Sequence, residues 1–182
     1  MARYAQQGKS YTCAPTLILN ALKWAGGRHT IRRDLPDIIK KSRCEKTVPG
    51  SLVEHFESAL HRFGKGYFII KRKRWRGVKA MERLLANPHN AVVTLYPWNA
   101  CTEDGTAEEC THLTLVIGTA ENGALFKCVN YHTITATAES LVSREIFSKD
   151  HRRRRTEKGV FPDIWLLSKK QKDRFPPPRT RR

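Results

Sequence analysis

The stretch QGKSYTCAPTLILNALKWAGG, from Gln7 to Gly27, decides the fold of this chain. After Cys13 the apolar residues recur at helical spacing, and Gly26 with Gly27 ends the pattern, as glycine commonly does after a last apolar turn. Pro15 fits the first turn, where its missing N–H has no partner within the helix. The stretch therefore predicts a buried helix that starts at Cys13 and whose apolar face is formed by Leu17, Ile18, Ala21, Leu22 and Ala25.

A cysteine at a helix start has the chemistry of a nucleophile. Free backbone N–H groups and the positive end of the helix dipole favour the thiolate, which is the reactive form. Gln7 lies six residues upstream, where its amide side chain is placed to donate a hydrogen bond to an oxyanion. A single cysteine is also commonly a small buried hydrophobe. Cys13 therefore indicates catalysis only if the chain supplies a histidine and a partner that orients it.

The chain has 182 residues and a formal net charge of +17. This length suits one domain with a hydrophobic core, to which we assign residues 1–168, and we expect the basic, proline-containing tail at 169–182 to be disordered. A field this positive attracts nucleic acid, acidic protein surfaces or anionic lipid, and charge alone does not choose among them. The candidate polyanion-binding residues form two basic clusters: Lys71, Arg72, Lys73, Arg74 and Arg76, and then Arg152, Arg153, Arg154 and Arg155. A solvated strand end is the simpler interpretation of the first cluster.

Targeting and metal signals are missing from the sequence. No apolar run is long enough to cross a bilayer, and the N-terminal residues form no apolar signal core, so we expect a protein of the cytoplasm or of an intracellular or viral assembly. Five cysteines without a secretion signal favour reduced thiols over a disulfide framework. The spacing of Cys101, Cys110 and His112 is unlike the usual zinc patterns, so we expect no metal and no cofactor.

The remaining elements alternate between helical and strand patterns. Helices are predicted at 35–43, 51–64, 78–88 and 139–150, and strands at 67–75, 91–98, 112–118, 124–131 and 160–169. The turn at 120–123 is short enough for a hairpin, so the strands on either side of it should be antiparallel neighbours. Pro162 favours an edge position for the last strand.

The hairpin supplies the partners that Cys13 needs. His112 begins one strand and Asn130 ends the next, and in an antiparallel pair these positions lie side by side. A cysteine facing them makes a Cys–His–Asn set. His112 would accept the thiol proton, and the amide oxygen of Asn130 would accept the other imidazole N–H and fix the ring. His132 is the weaker candidate for the base.

Four motifs together resemble a known family. They are Gln7, then YTCAPTLILNALKWAGG at 11–27, THLTLVIG at 111–118 and CVNY at 128–131. In this order they resemble the papain-like cysteine peptidases, in particular the bacteriocin-leader peptidases that cut after a double glycine, and their stand-alone relatives. The resemblance implies an α+β fold in which an N-terminal helical part, with the nucleophile helix, packs on a C-terminal antiparallel sheet. The family has an acidic residue and a glycine beside its cysteine, where this chain has Thr12 and Ala14.

Two functions follow as expectations. The first is a cysteine peptidase that hydrolyses peptide or isopeptide bonds of a peptide or protein through an acyl-enzyme, and whose basic surface and tail recruit nucleic acid, another polyanion or a larger assembly. The second is a weak or inactive papain-like domain that acts as a structural, nucleic-acid-binding or assembly-binding protein. Reactivity of Cys13 favours the first, and salt-sensitive polyanion binding without it favours the second.

Overall fold

The fold is mixed α+β, seen in a computed structural model that describes residues 4–7, 12–43, 53–101, 107–131, 138–158 and 163–170. Within these ranges only the backbone is described at 97–101, 107–111, 152–158 and 163. The side chains of the second basic cluster, His132 and the tail beyond residue 170 therefore lie outside the described residues. No helix in the described ranges is long and apolar enough to cross a membrane.

The described residues form five helices and one six-stranded antiparallel sheet. The helices are α1 (Cys13–Trp24), α2 (Ile31–Lys41), α3 (Val53–Gly64), α4 (Val78–Leu85) and α5 (Arg144–Lys158). The strands are β1 (Phe68–Arg74), β2 (Asn90–Cys101), β3 (Ala107–Ala120), β4 (Leu125–Val129), β5 (Glu139–Ser143) and β6 (Asp163–Lys169). Their order across the sheet is β1-β6-β2-β3-β4-β5.

The helix at Cys13 is present and ends as its glycines indicate. Gly26 adopts φ 96°, and its N–H donates to the carbonyl of Lys23 at 3.1 Å. The N–H of Gly27 donates to the carbonyl of Leu22 at 2.9 Å, which completes a Schellman motif. All side chains from Ala14 to Leu22 are buried, so α1 is the central helix of the core.

Helices cover both faces of the sheet. Along β3, Leu113 and Leu115 belong to the apolar cluster that contains α1, α2 and α3. Val116, on the alternate parity, belongs to the cluster under α4 and α5. The sheet is thus a middle layer between two helical layers, and each strand residue faces one or the other according to its parity.

Two sequence predictions fail in their details. The predicted helix at 139–150 is a strand, β5, in its first half, and its second half continues into α5 as far as Lys158. Helix α2 begins at Ile31, four residues before the predicted start, because the hydroxyl of Thr30 caps it by accepting the N–H of Arg33 at 3.3 Å. Pro36 lies inside this helix.

The last strand is not at the edge of the sheet. β6 lies between β1 and β2, and its residues from Ile164 to Leu167 are all buried. Such a continuous apolar run is typical of a strand covered on both faces. Pro162 lies outside the described residues, and β6 begins at the next residue, Asp163. The edge strands are β1 and β5, and the exposed residues Lys71 to Arg74 of β1 fit a charged edge strand.

Candidate active site

Cys13 is the first residue of the buried helix. Thr12 precedes it as the N-cap residue, with no side-chain hydrogen bond to the first turn, and that turn carries no acidic residue. Cys13 is half-buried, whereas Ala14 and the residues after it are fully enclosed. The thiol therefore sits where the helix emerges from the core, at the end that favours negative charge.

His112 lies in β3 and is 1% exposed. Its Nε2 is 2.7 Å from the backbone carbonyl oxygen of Asn130, across the β3–β4 hairpin. A carbonyl only accepts, so Nε2 must carry the proton of a neutral imidazole and Nδ1 must be the basic nitrogen. The hairpin thus fixes the tautomer that a general base needs.

Asn130 contacts His112 through its backbone and not through its amide. The residue follows β4 directly and has φ 55°, in the left-handed region that asparagine tolerates. This conformation presents the carbonyl to the imidazole, and the side-chain Nδ2 donates to the carbonyl of Ala5 at 3.0 Å. The predicted bond from the imidazole to the amide oxygen is therefore replaced by a backbone bond with the same orienting effect.

The N-terminal segment joins Asn130 to the nucleophile helix. The N–H of Ala5 donates to Oδ1 of Asn20 at 2.7 Å, and Nδ2 of Asn20 donates to the Ala5 carbonyl at 2.8 Å. Asn20 lies seven residues after Cys13, two turns along the same face of α1. Gln7, two residues beyond Ala5, is 7% exposed. Asn20 and Ala5 were not predicted to take part in the site.

His112 and the body of α1 lie on different sides of the sheet. His112 pairs with Tyr96 in the ladder, and the two rings meet edge to face with centroids 5.5 Å apart. By parity both belong to the layer of α4 and α5, whereas α1 packs on the other layer against β3. A contact between the Cys13 thiol and the His112 imidazole would therefore have to form around the end of the sheet.

Tyr96 is enclosed beside His112. Burial raises the pKa of Tyr96 far above its ordinary value, and the acidic groups Cys128, Asp150 and Cys13 would raise it further when they are ionised. The structure brings His112 together with Asn130, ties Asn130 to the Gln7 segment and to α1, and leaves the direct contact between the thiol and the imidazole as a prediction.

The other described cysteine has the opposite environment. Cys128 is 1% exposed in β4, and burial raises the pKa of its thiol well above the ordinary value. A neutral, enclosed thiol packs as a small hydrophobe. Among the described residues, no group of three His, Cys, Asp or Glu side chains is arranged to hold a metal ion.

The first basic cluster lies on the edge strand. Lys71, Arg72, Lys73 and Arg74 are exposed along β1, and Arg76 is exposed after it. Arg72 pairs with Glu57 at 3.2 Å and lies 6.0 Å from the centroid of the Trp165 ring. No carboxylate among the described side chains pairs with the other four cations. This edge therefore keeps most of its positive charge open to a partner.

Comparison with known proteins adds no assignment. No family model matches the chain, and no curated protein matches it.

Proposed function

We propose that this chain is a papain-like cysteine peptidase, with Cys13 as nucleophile, His112 as general base and Gln7 as oxyanion donor. The observation that carries the proposal is the buried imidazole of His112, whose Nε2 is held 2.7 Å from the carbonyl of Asn130. An enclosed histidine with a fixed tautomer, paired with a cysteine at a helix start, is the arrangement that thiol catalysis requires, and the proposal adds the contact between the two.

The reaction proceeds in two halves. Nδ1 of His112 takes the proton of the Cys13 thiol, and the sulfur attacks the substrate carbonyl carbon to form a tetrahedral oxyanion. The Gln7 amide donates to that oxyanion, and the imidazolium returns its proton to the leaving amine as the C–N bond breaks. Water then attacks the thioester and gives a proton to His112. The C–S bond breaks, the Cys13 sulfur takes that proton back from the imidazolium, and the acid is released.

Asn130 acts in this scheme through the conformation of its backbone. Its carbonyl orients the imidazole, and its side chain holds Ala5, which precedes Gln7 by two residues. One residue therefore positions the base directly and the oxyanion donor indirectly. The amide of the side chain takes no part in proton transfer.

The basic edge strand supports an additional, recruiting role. Four cations without a described carboxylate partner, in a chain of net charge +17, favour association with a polyanion by counterion release. We infer that this surface brings the peptidase to a nucleic acid or another polyanionic assembly. A papain-like domain that only binds is the alternative function, and it predicts the same salt dependence without thiol chemistry.

A trapping experiment separates the two functions. The full chain and its Cys13→Ala variant are incubated with a peptide library, quenched in acid and analysed by intact-protein mass spectrometry. The peptidase should accumulate an acyl adduct on Cys13 and release cleaved peptides, neither of which Cys13→Ala forms. Equal peptide profiles for both proteins, with no adduct, would refute the peptidase, and salt-dependent polyanion binding by both proteins would then support the binding function.

A further inference from the structure

A pocket of about 410 Å³ lies where β1 passes into α4, separate from the candidate active site. Its volume is within the range of small-ligand sites. Its lining combines cations, one indole and an apolar floor: Lys73, Arg74, Trp75, Arg76, Gly77, Ala80, Met81, Leu84 and Ile164. Neither the thiol chemistry nor the core needs a cavity of this composition.

The floor and the rim come from different elements. Lys73 pairs with Ile164 in the β1–β6 ladder, so their side chains share the face of the sheet on which α4 packs. Met81 is buried beneath the pocket, and Leu84 packs beside it from the next turn of α4. The pocket therefore has an apolar base and a cationic entrance.

The cations at the entrance are available to a ligand. Lys73 and Arg76 are exposed, and no carboxylate among the described side chains pairs with either of them. By contrast, Glu57 neutralises Arg72, and Glu82 neutralises Arg144 at 2.7 Å. An ammonium and a guanidinium close together bind phosphate oxygens strongly, because each such hydrogen bond is charge-assisted.

Trp75 gives the pocket an aromatic surface that is held in place. Its ring stacks on His151 with centroids 4.9 Å apart, and it lies 6.1 Å from Phe147. His151 is itself fixed, because its Nδ1 is 2.7 Å from the carbonyl of Phe147. Trp75 nevertheless remains only half-buried, so part of the indole is open to a planar ligand.

We propose that this pocket binds one nucleotide, with the base against Trp75 and the apolar floor and the phosphate on Lys73 and Arg76. Proteins hold individual nucleotides of single-stranded nucleic acid by stacking the base on an aromatic side chain beside a basic surface. An acidic peptide would use the cations but not the indole. The inference rests on the polyanion-binding part of the proposed function and is independent of the thiol chemistry.

The experiment uses the full chain and three probes: thymidine monophosphate, a fluorescein-labelled dT oligonucleotide and polyglutamate of matched charge. Binding is measured by anisotropy and competition across a salt series. Lys73→Gln is compared with Lys71→Gln, which loses the same charge from the same face of the same strand but does not line the pocket. Trp75→Leu removes the stacking surface. In the unmodified protein, NMR follows the indole N–H signals of Trp75, Trp24 and Trp165 as the probes are added. This measurement remains valid even if a variant fails to fold.

The expected result is selective. Trp75→Leu should weaken oligonucleotide binding by about tenfold, and Lys73→Gln should reduce the slope of log K against log salt by about one, more than Lys71→Gln does. Of the three indole signals that are followed, only that of Trp75 should shift. Displacement by the monophosphate would identify a free nucleotide as the ligand, whereas binding of the oligonucleotide alone would identify a nucleotide within a strand.

Equal losses in Lys71→Gln and Lys73→Gln, an unshifted Trp75 signal, or equal binding of polyglutamate would each overturn the proposal. No nucleic acid binding at all would remove the recruiting role as well.

Discussion

Removal of the His112 imidazole should raise the pH at which Cys13 becomes reactive. The imidazole is 1% exposed and its Nε2 is held by the Asn130 carbonyl, so in the proposed mechanism Nδ1 accepts the thiol proton. We expect the alkylation midpoint of Cys13 in His112→Ala to move to about 8.5, the ordinary value for cysteine. Each unit of that shift corresponds to about 1.4 kcal/mol of lost stabilisation of the thiolate.

The pH midpoint of Cys13 alkylation is a better measure of the thiol pKa than the alkylation rate at a single pH. At pH 6.5 a thiol with a pKa of about 8.5 is only about 1% ionised, so loss of the base removes most of the thiolate. A thiolate of higher pKa is also intrinsically more nucleophilic, by a Brønsted slope of about 0.4–0.5, and this offsets part of the loss in rate. The complete pH profile of iodoacetamide labelling, followed by mass spectrometry from about pH 4 to 10, separates the two effects.

A second buried histidine supplies the control. His151 is 2% exposed and its ring lies 5.7 Å from that of Tyr96, so His151→Ala removes an imidazole from the same aromatic cluster. In His151→Ala, the pH midpoint of Cys13 alkylation should match that of the unmodified protein. Thermal melting should show that His112→Ala and His151→Ala are destabilised to a similar extent. If the His112→Ala profile is unshifted, or if His151→Ala shifts it equally, His112 is not the base of Cys13.

Four other predictions test separate parts of the site. Under limiting iodoacetamide, mass spectrometry should find Cys13 labelled and Cys128 unmodified, because Cys128 is buried and burial raises its pKa. Gln7→Ala should leave the Cys13 midpoint unchanged but slow acyl transfer by about a hundredfold in stopped assays, because an oxyanion donor acts in the transition state. Asn20→Ala should lower the free energy of unfolding by about 1–3 kcal/mol in urea titrations, because it leaves both polar groups of buried Ala5 with fewer partners. Truncation after Lys170 should leave the melting temperature unchanged and reduce the salt dependence of DNA binding, because the removed tail carries charge but little apolar area.

The local signals in the sequence predicted the local structure well. The glycine pair fixed the end of α1, and the short turn at 120–123 fixed β3 and β4 as neighbours, because both features depend on residues close in sequence. The place of β6 between β1 and β2 depends on pairing across the whole chain, which no local pattern encodes. The strand β5 was predicted as helix because its five residues carry only a weak alternation and run directly into the residues of α5.

The site was predictable as far as the hairpin determines it. The adjacency of His112 and Asn130 follows from antiparallel pairing. The hydrogen bond from His112 to the backbone carbonyl of Asn130 depends on the left-handed conformation of Asn130. Asparagine tolerates that conformation but does not require it, so the sequence could not predict this bond. Asn20 did carry a signal, because a polar residue seven positions after Cys13 shares its helix face. Ala5 carried none, because it contributes only its backbone.

The unusual backbone of Asn130 is stabilised by the contacts that organise the site. A left-handed residue costs about 1–2 kcal/mol, and less for asparagine. Against this cost Asn130 makes three hydrogen bonds: its N–H donates to Ala138 at 2.7 Å, its carbonyl accepts from His112, and its Nδ2 donates to Ala5. Each contributes about 0.5–1.5 kcal/mol net, so the three together outweigh the strain. These bonds lead to the residue before β5, to the candidate base and to the segment before Gln7. A change in the backbone at Asn130 would therefore disturb all three parts at once, whereas a change confined to its amide would reach the base only indirectly.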